Sequence, residues 1–167
     1  VRNLRLTFSD GFGGWFGNRR HVHAVDGVSL DVRRGEVLGI VGESSSGKSS
    51  VAKAILNIHP PTSGQVVFDG EDLDTLNPRE WREMRREIQY VFQDPLGALD
   101  PRMTVLDQVI EPLTIHSIGN TIERRREAHD LLGAVGLMTE IHDKYPHELS
   151  GGQRQRVVLA RALILKP

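Results

Sequence analysis

Leu4, Leu6 and Phe8 alternate with polar positions, and Val28, Leu30 and Val32 do so again, each at the period of a strand with one buried face. Between them, residues 11–17 mix glycine with aromatic residues and read as a loop. The run Val37-Leu38-Gly39-Ile40-Val41 is continuous, apolar, β-branched at both ends and bounded by glycine, which predicts a buried strand. A helix is predicted over 48–58. Pro60-Pro61-Thr62-Ser63-Gly64 then makes a turn, 65–68 a strand, and Asn77-Pro78 a helix start with Asn77 as cap and Glu80 at the third position. Residues 88–92 predict a further strand ending at Gln93. From 94 to 148 the pattern is helical, with breaks expected at Pro101, Pro112, Gly119, Gly133 and Gly136, and 157–165 is an apolar returning helix.

The joint between the apolar run and the helix after it carries chemistry. Gly42-Glu43-Ser44-Ser45-Ser46-Gly47-Lys48-Ser49 fits G-x-x-x-x-G-K-[ST], and strand, glycine loop and helix come in the order that pattern requires. Backbone N–H groups of such a loop, with the positive end of the helix dipole behind them, suit an anion, so a nucleoside triphosphate is expected here. Lys48 would reach the β- and γ-phosphates, Ser49 would offer its hydroxyl to Mg²⁺, and Ser50 follows at the edge of the site. The plain alternative is a glycine-rich turn that only starts a helix.

Leu149-Ser150-Gly151-Gly152-Gln153 is a second glycine-rich helix start. Ser150 is a good N-cap, and Gln153 stands where its side chain can reach back to the cap residue's own N–H. A capping box alone leaves two consecutive glycines unexplained, since each costs roughly 1 kcal/mol against alanine inside a helix. A ligand that approaches this backbone closely, a second phosphate contact, would explain them.

These residues resemble the ATP-binding subunits of ABC transporters, whose signature motif is LSGGQ. Val91-Phe92-Gln93-Asp94-Pro95 is similar to that family's Q-loop, in which Gln93 would meet Mg²⁺ or the attacking water and sense a membrane partner. Leu99-Asp100-Pro101-Arg102-Met103-Thr104-Val105, Tyr145-Pro146-His147-Glu148 and Ala24-Val25-Asp26-Gly27-Val28-Ser29 resemble its oligopeptide/dipeptide branch. The resemblance implies an α/β P-loop NTPase fold: a RecA-like core with an antiparallel front part and a helical subdomain. It divides the chain into a nucleotide-binding core (1–93), a helical subdomain (94–148) and the signature with its return helix (149–167).

ATP and Mg²⁺ are the implied cofactors. Gly42 to Ser50 of one copy and Ser150, Gly151, Gly152 and Gln153 of another would grip the nucleotide, with Lys48 and Gln93 as catalytic candidates and Ser49 and Gln93 beside Mg²⁺. The implied partners are permease subunits and a second ATP-binding subunit, like or unlike, on the inner face of the cell membrane. An aromatic near the start stacks on adenine in the family, and Trp15 and Phe16 are candidates for that role or for packing beneath the loop. Two other classes stay open: a non-transport ABC-type interaction module, and a small-molecule P-loop kinase, which leaves Ser150 to Gln153 unexplained.

Two departures matter. No apolar strand ending in Asp-Glu and no histidine follow the signature within these residues. Phosphoryl transfer needs a group that orients the water; the complete subunit is expected to be an ATPase, and the 167 residues alone to bind nucleotide weakly or not at all and to hydrolyse little. Ser45 stands where the resembled branch usually has glycine, and costs roughly 1–2 kcal/mol if the backbone there is left-handed.

Charge then excludes a class. The chain has 21 Lys and Arg against 22 Asp and Glu, without the cationic excess of nucleic-acid binders. Arg124-Arg125-Arg126, between Glu123 and Glu127, reads as a solvated helix face. No run is apolar for the roughly 20 residues of a membrane span, no signal peptide is visible, and the cytosol is expected. Absence of cysteine excludes disulfides within these residues. The seven histidines are expected on the surface or in loops, without zinc-binding spacing.

Overall fold

The computed structural model describes residues 1–9 and 21–167. Trp15 and Phe16 lie outside the described residues. The chain forms two compact units, Val1–Pro78 and Arg79–Pro167.

In the first unit β1 (Arg2–Ser9) and β2 (His21–Val28) pair antiparallel, and β3 (Ser63–Gln65) adds to the other edge of β1. Leu4 sits opposite Val28 and Leu6 opposite Val25, with register shifts after Leu4 and after Leu6. Leu4, Leu6 and Val25 are buried from the sheet side, and Val51 and Ala54 from α1 (Lys48–Ile55), which packs on β1 and β2. The expected strand at 28–32 is therefore the earlier segment His21–Val28, because β1 bonds along that stretch. Helix α1 ends three residues short of expectation, at a cap where Leu56 donates to Ala52 O. The expected strand 65–68 is split into β3 and β4 (Val67–Phe68), and β4 pairs with β5 (Glu71–Asp72).

Neither of the strands expected at 37–41 and 88–92 forms. Residues 37–41 and 88–92 carry no strand assignment, and Val37 and Val41 are each 96% exposed. A strand of a parallel sheet exists only through hydrogen bonds to its neighbours, and among the described residues no strand lies alongside either run.

The second unit is helical: α2 (Pro78–Glu87), α3 (Pro95–Ala98), α4 (Val105–Ile115), α5 (Thr121–Ala134) and α6 (Gly151–Leu163). Val105, Leu106, Val109 and Leu113 of α4, Ala128 and Leu132 of α5, and Val157, Val158 and Ala160 of α6 bury one shared core with Leu99, Leu137, Leu149 and Ile164. Two expected breaks are absent. Pro112 lies inside α4 and Gly133 inside α5; Gly133 sits in the last turn, where extra backbone freedom costs least, while Pro112 has no N–H to give the carbonyl of Gln108 four residues back. Gly119 and Gly136 do interrupt the chain, both at positive φ.

The arginine run is only partly solvated. Arg125 and Arg126 are exposed, whereas Arg124 donates from Nε to Ile118 O at 2.7 Å and from Nη1 to Thr114 Oγ1 at 3.2 Å. Among the histidines, His142 lies in a turn, within the expectation of surface or loop, but its ring is not solvated. His142 is buried, with Nε2 3.2 Å from Leu137 O and Nδ1 2.7 Å from His129 Nδ1. A carbonyl only accepts, so Nε2 is the protonated nitrogen of His142 that faces Leu137 O.

Candidate functional site

The glycine loop and its lysine form one closed arrangement in the first unit. Lys48 Nζ donates to Gly42 O at 2.8 Å, to Glu43 O, and to Ser46 Oγ at 3.2 Å, while Ser46 N donates to Glu43 O at 3.3 Å. The ammonium thus curls the loop around itself. Two residues hold left-handed backbone, Ser45 at φ 65° and Gly47 at φ 92°. Gly47 also lies so close to β2 that a Cβ would meet Ala24 O at 2.3 Å.

Gly47 is the N-cap of α1 and contributes no side-chain hydrogen bond, and the first turn contains no acidic residue. The first N–H groups of a helix have no intrahelical partners, so these donors are left for a guest. Exposed Ser49 and half-buried Ser50 continue the rim, and Ser44 and Ser45 lie exposed on the loop. An uncapped helix start, a glycine with no room for a side chain and a lysine ammonium together fit a polyphosphate, and the exposed hydroxyl of Ser49 fits an Mg²⁺ ion bound to it.

Gln93 and the second glycine-rich start belong to the other unit. Gln93 is exposed and stands before Asp94, whose Oδ1 accepts from Leu96 N at 3.0 Å and caps α3. At the head of α6, Ser150 Oγ accepts from Gln153 N at 3.2 Å, and Gln153 Oε1 accepts from Ser150 N at 2.8 Å. The expected capping box is present. A Cβ added at Gly151 or Gly152 would meet nothing within 4 Å, so nothing within the described chain demands glycine at either position. Open space in front of an exposed helix start is what an approaching ligand needs.

Two features of this unit escape the sequence pattern. Arg161 of α6 donates from Nη1 to Ala98 O at 2.7 Å and from Nη2 to Glu111 Oε2 at 2.6 Å. Its place in the run of α6 looks like a polar residue on an outer face, and no local signal distinguishes a guanidinium that reaches across to two other helices. A cavity of about 300 Å³ is lined in part by Arg85, Phe92, Ala98, His116, Arg161 and Leu165. Burial, then the positive charges of Arg86 and Arg82, lower the pKa of His116, so this wall of the cavity favours the neutral ring.

Among the described residues no group of three or more His, Cys, Asp or Glu could hold a metal ion, and no helix is long and apolar enough to cross a membrane.

The profile of the ABC transporter family matches residues 25–167. A Brucella ovis protein named for peptide import as an ATP-binding protein is 49% identical over 143 residues, 86% of this chain and 45% of its own length. The glutathione import ATP-binding protein of Escherichia coli O157:H7 is 46% identical over the whole chain, which covers 27% of that protein. The chain spans less than half the length of these relatives. Among solved structures, a dimeric ATP-binding cassette in a post-hydrolysis state, bound to ADP and phosphate, superposes with a TM-score of 0.86 at 34% identity, over 99% of this chain and 69% of that one. A Clostridium perfringens cassette from a cbiONQ transporter complex gives 0.75 at 28% identity, over 99% of this chain and 62% of that one. The fold is that of an ABC cassette, a mixed α/β P-loop NTPase.

Proposed function

Because the chain belongs to the ABC transporter family, we propose that the complete polypeptide is the ATP-binding subunit of an import system, coupling ATP binding and hydrolysis to passage of peptides or a related small solute through a membrane permease. The observation that carries this is the loop at 42–49, closed on the Lys48 ammonium in front of a helix start that no side chain caps. Import of peptides and of glutathione is named for the relatives.

In this reading Gly42 to Ser50 hold the triphosphate through backbone N–H groups, and Lys48 gives up loop carbonyls for phosphate oxygens. Mg²⁺, when bound, would supply positive charge to the triphosphate. Ser49 would hold that ion through its hydroxyl, and Gln93 would meet the ion or the attacking water. Ser150 Oγ, still free to donate its own proton, and the exposed N–H groups of Gly151 and Gly152 close on the γ-phosphate of a second copy or a related subunit. The dimeric cassette among the similar structures supports a paired arrangement. Contacts that exist only in the closed pair turn nucleotide binding into motion, which Gln93 and residues 94–148 pass to the permease at the inner face of the membrane. By role, 1–93 bind, 94–148 transmit and 149–167 complete the partner's site.

Hydrolysis belongs to the complete polypeptide. Residues 1–167 alone present no carboxylate after the signature to orient water and turn over little ATP. The deciding experiment is Lys48→Ala in the complete polypeptide, read by nucleotide affinity and by solute uptake in vesicles holding its permease. Both are expected to collapse. Triphosphate affinity left intact would overturn the proposal.

A further inference from the structure

The geometry points to Arg161 as a positioning residue for Gln93, acting through the short helix between them; this rests on the role given to Gln93 above. Gln93 is exposed, with no hydrogen bond from its side chain among the described residues, so its place is set by what anchors the chain after it. Asp94 caps α3 through Leu96 N. The four residues of α3 end at Ala98, and the Ala98 carbonyl receives Arg161 Nη1 at 2.7 Å. The other arm of the same guanidinium is held by Glu111 Oε2 of α4 at 2.6 Å. Beyond Ala98, Leu99 is buried in the shared core, and the buried side chain of Gln108 takes Asp100 N on Oε1 at 3.0 Å and gives Nε2–H to Asp100 O at 3.1 Å.

The segment opened by Gln93 is therefore fastened at its far end to two helices, and one of them is α6. Arg161 lies ten residues along the helix that Gly151 opens. A helix of that length moves as one body, so a shift of the signature end relative to α4 reaches Ala98 through one planar, charged fork. The pair Arg161–Glu111 is about one-third exposed on each side. An ion pair so placed adds little to stability, and its geometry matters more than its energy.

The test is a double-mutant cycle on ATP turnover by the complete polypeptide. Arg161→Gln is expected to lower kcat about tenfold while KM and nucleotide affinity stay within about twofold, the split that a lost positioning contact gives. Arg161→Lys keeps the charge without the fork and recovers part of the rate. In a Gln93→Ala background Arg161→Gln is expected to change kcat by less than about twofold, since the side chain it positions is gone. Losses that multiply in the double variant would overturn the inference and leave the role of Gln93 standing; an unchanged rate in Gln93→Ala alone would remove that role first, and the inference with it. Where Arg161→Gln does not fold, Glu111→Gln should give a smaller loss that cancels in the same background. If Gln93→Ala is too slow to time, amide exchange decides. Faster exchange over 93–98 with 42–49 unchanged supports the inference, and equal exchange over 93–98 refutes it.

Discussion

The carbonyl oxygen of Ala24 lies 2.3 Å from where a Cβ on Gly47 would stand, so strand β2 and the phosphate loop meet at a point that admits no side chain. The obstructing atom is backbone and cannot swing aside. Gly47 also has φ 92°, a conformation that costs an L-residue roughly 1–2 kcal/mol. Gly47→Ala is therefore expected to push the loop off β2 and to abolish nucleotide binding, measured by titration with a fluorescent ATP analogue. Affinity within threefold of the parent would show that the loop can rearrange without this contact.

Ser45 has the same handedness without the glycine. At φ 65° it occupies the left-handed region, which meets the condition under which serine at this position is strained. Ser45→Gly removes about 1–2 kcal/mol of strain. Where the strain is greater in the nucleotide-bound loop than in the free one, affinity rises by up to about tenfold. The check is the dissociation constant for ATP and Mg²⁺ in the complete polypeptide, beside its thermal melt. A higher melting temperature with unchanged affinity would place the strain equally in both states.

Much of the site was legible because its signals are local. The capping box of Ser150 and Gln153 depends on two residues three apart, and it forms as the spacing dictates. The loop at 42–49 depends on glycine and lysine at fixed offsets, and Lys48 curls onto it accordingly. What the sequence misplaces is set by neighbours. The strands expected at 37–41 and 88–92 carry apolar runs suited to a sheet interior, yet hydrogen bonds from flanking strands make a strand, and none lies beside them among the described residues. The burial of His142, a turn residue, is likewise set by a neighbour: Leu106 N of α4 donates to His142 O at 2.9 Å. Arg161 is invisible because both its partners are distant in sequence, 63 and 50 residues away.

Asp100 and Arg102 make an acid-sensitive clasp at the start of the segment leading into α4. Arg102 donates from Nε and N to Oδ1 at 3.1 and 2.9 Å, and from Nη2 to Oδ2 at 2.9 Å. The side-chain bond from Arg102 is the largest cause, followed by its backbone N–H, and together they lower the Asp100 pKa to about 2. A carboxylate depressed in the folded state stabilises it above its unfolded pKa of about 3.9. That contribution fades as pH falls from about 4 through about 2. Arg102→Ala should reduce the slope of stability against pH in this window, with little change in the slope above pH 5; urea melts across the series measure it. An unchanged slope would mean that the clasp is fully formed in the unfolded chain too.

The two units should answer heat and solvent differently. Residues 99–164 supply one continuous core, whereas in the first unit the chain from 31 to 46 is exposed throughout, including Val37, Leu38, Ile40 and Val41. A β-branched apolar run with unpaired backbone is a template for pairing with another chain. Residues 1–167 expressed alone should therefore associate at micromolar concentration, with amides of 37–41 exchanging fast in the dilute monomer and slowing on association while those of α4 and α6 stay protected throughout. Val37→Lys together with Val41→Thr should raise the concentration at which this chain remains monomeric in light scattering. The same two substitutions in the complete polypeptide should lower its melting temperature, because there the run is expected to be a buried strand and a lysine ammonium inside a sheet is costly. This opposite sign separates an exposed edge awaiting its neighbours from an ordinary surface loop, for which both effects would vanish. A sharp, cooperative, concentration-independent melt of residues 1–167 as a monomer would refute the idea that 37–41 lacks its partners.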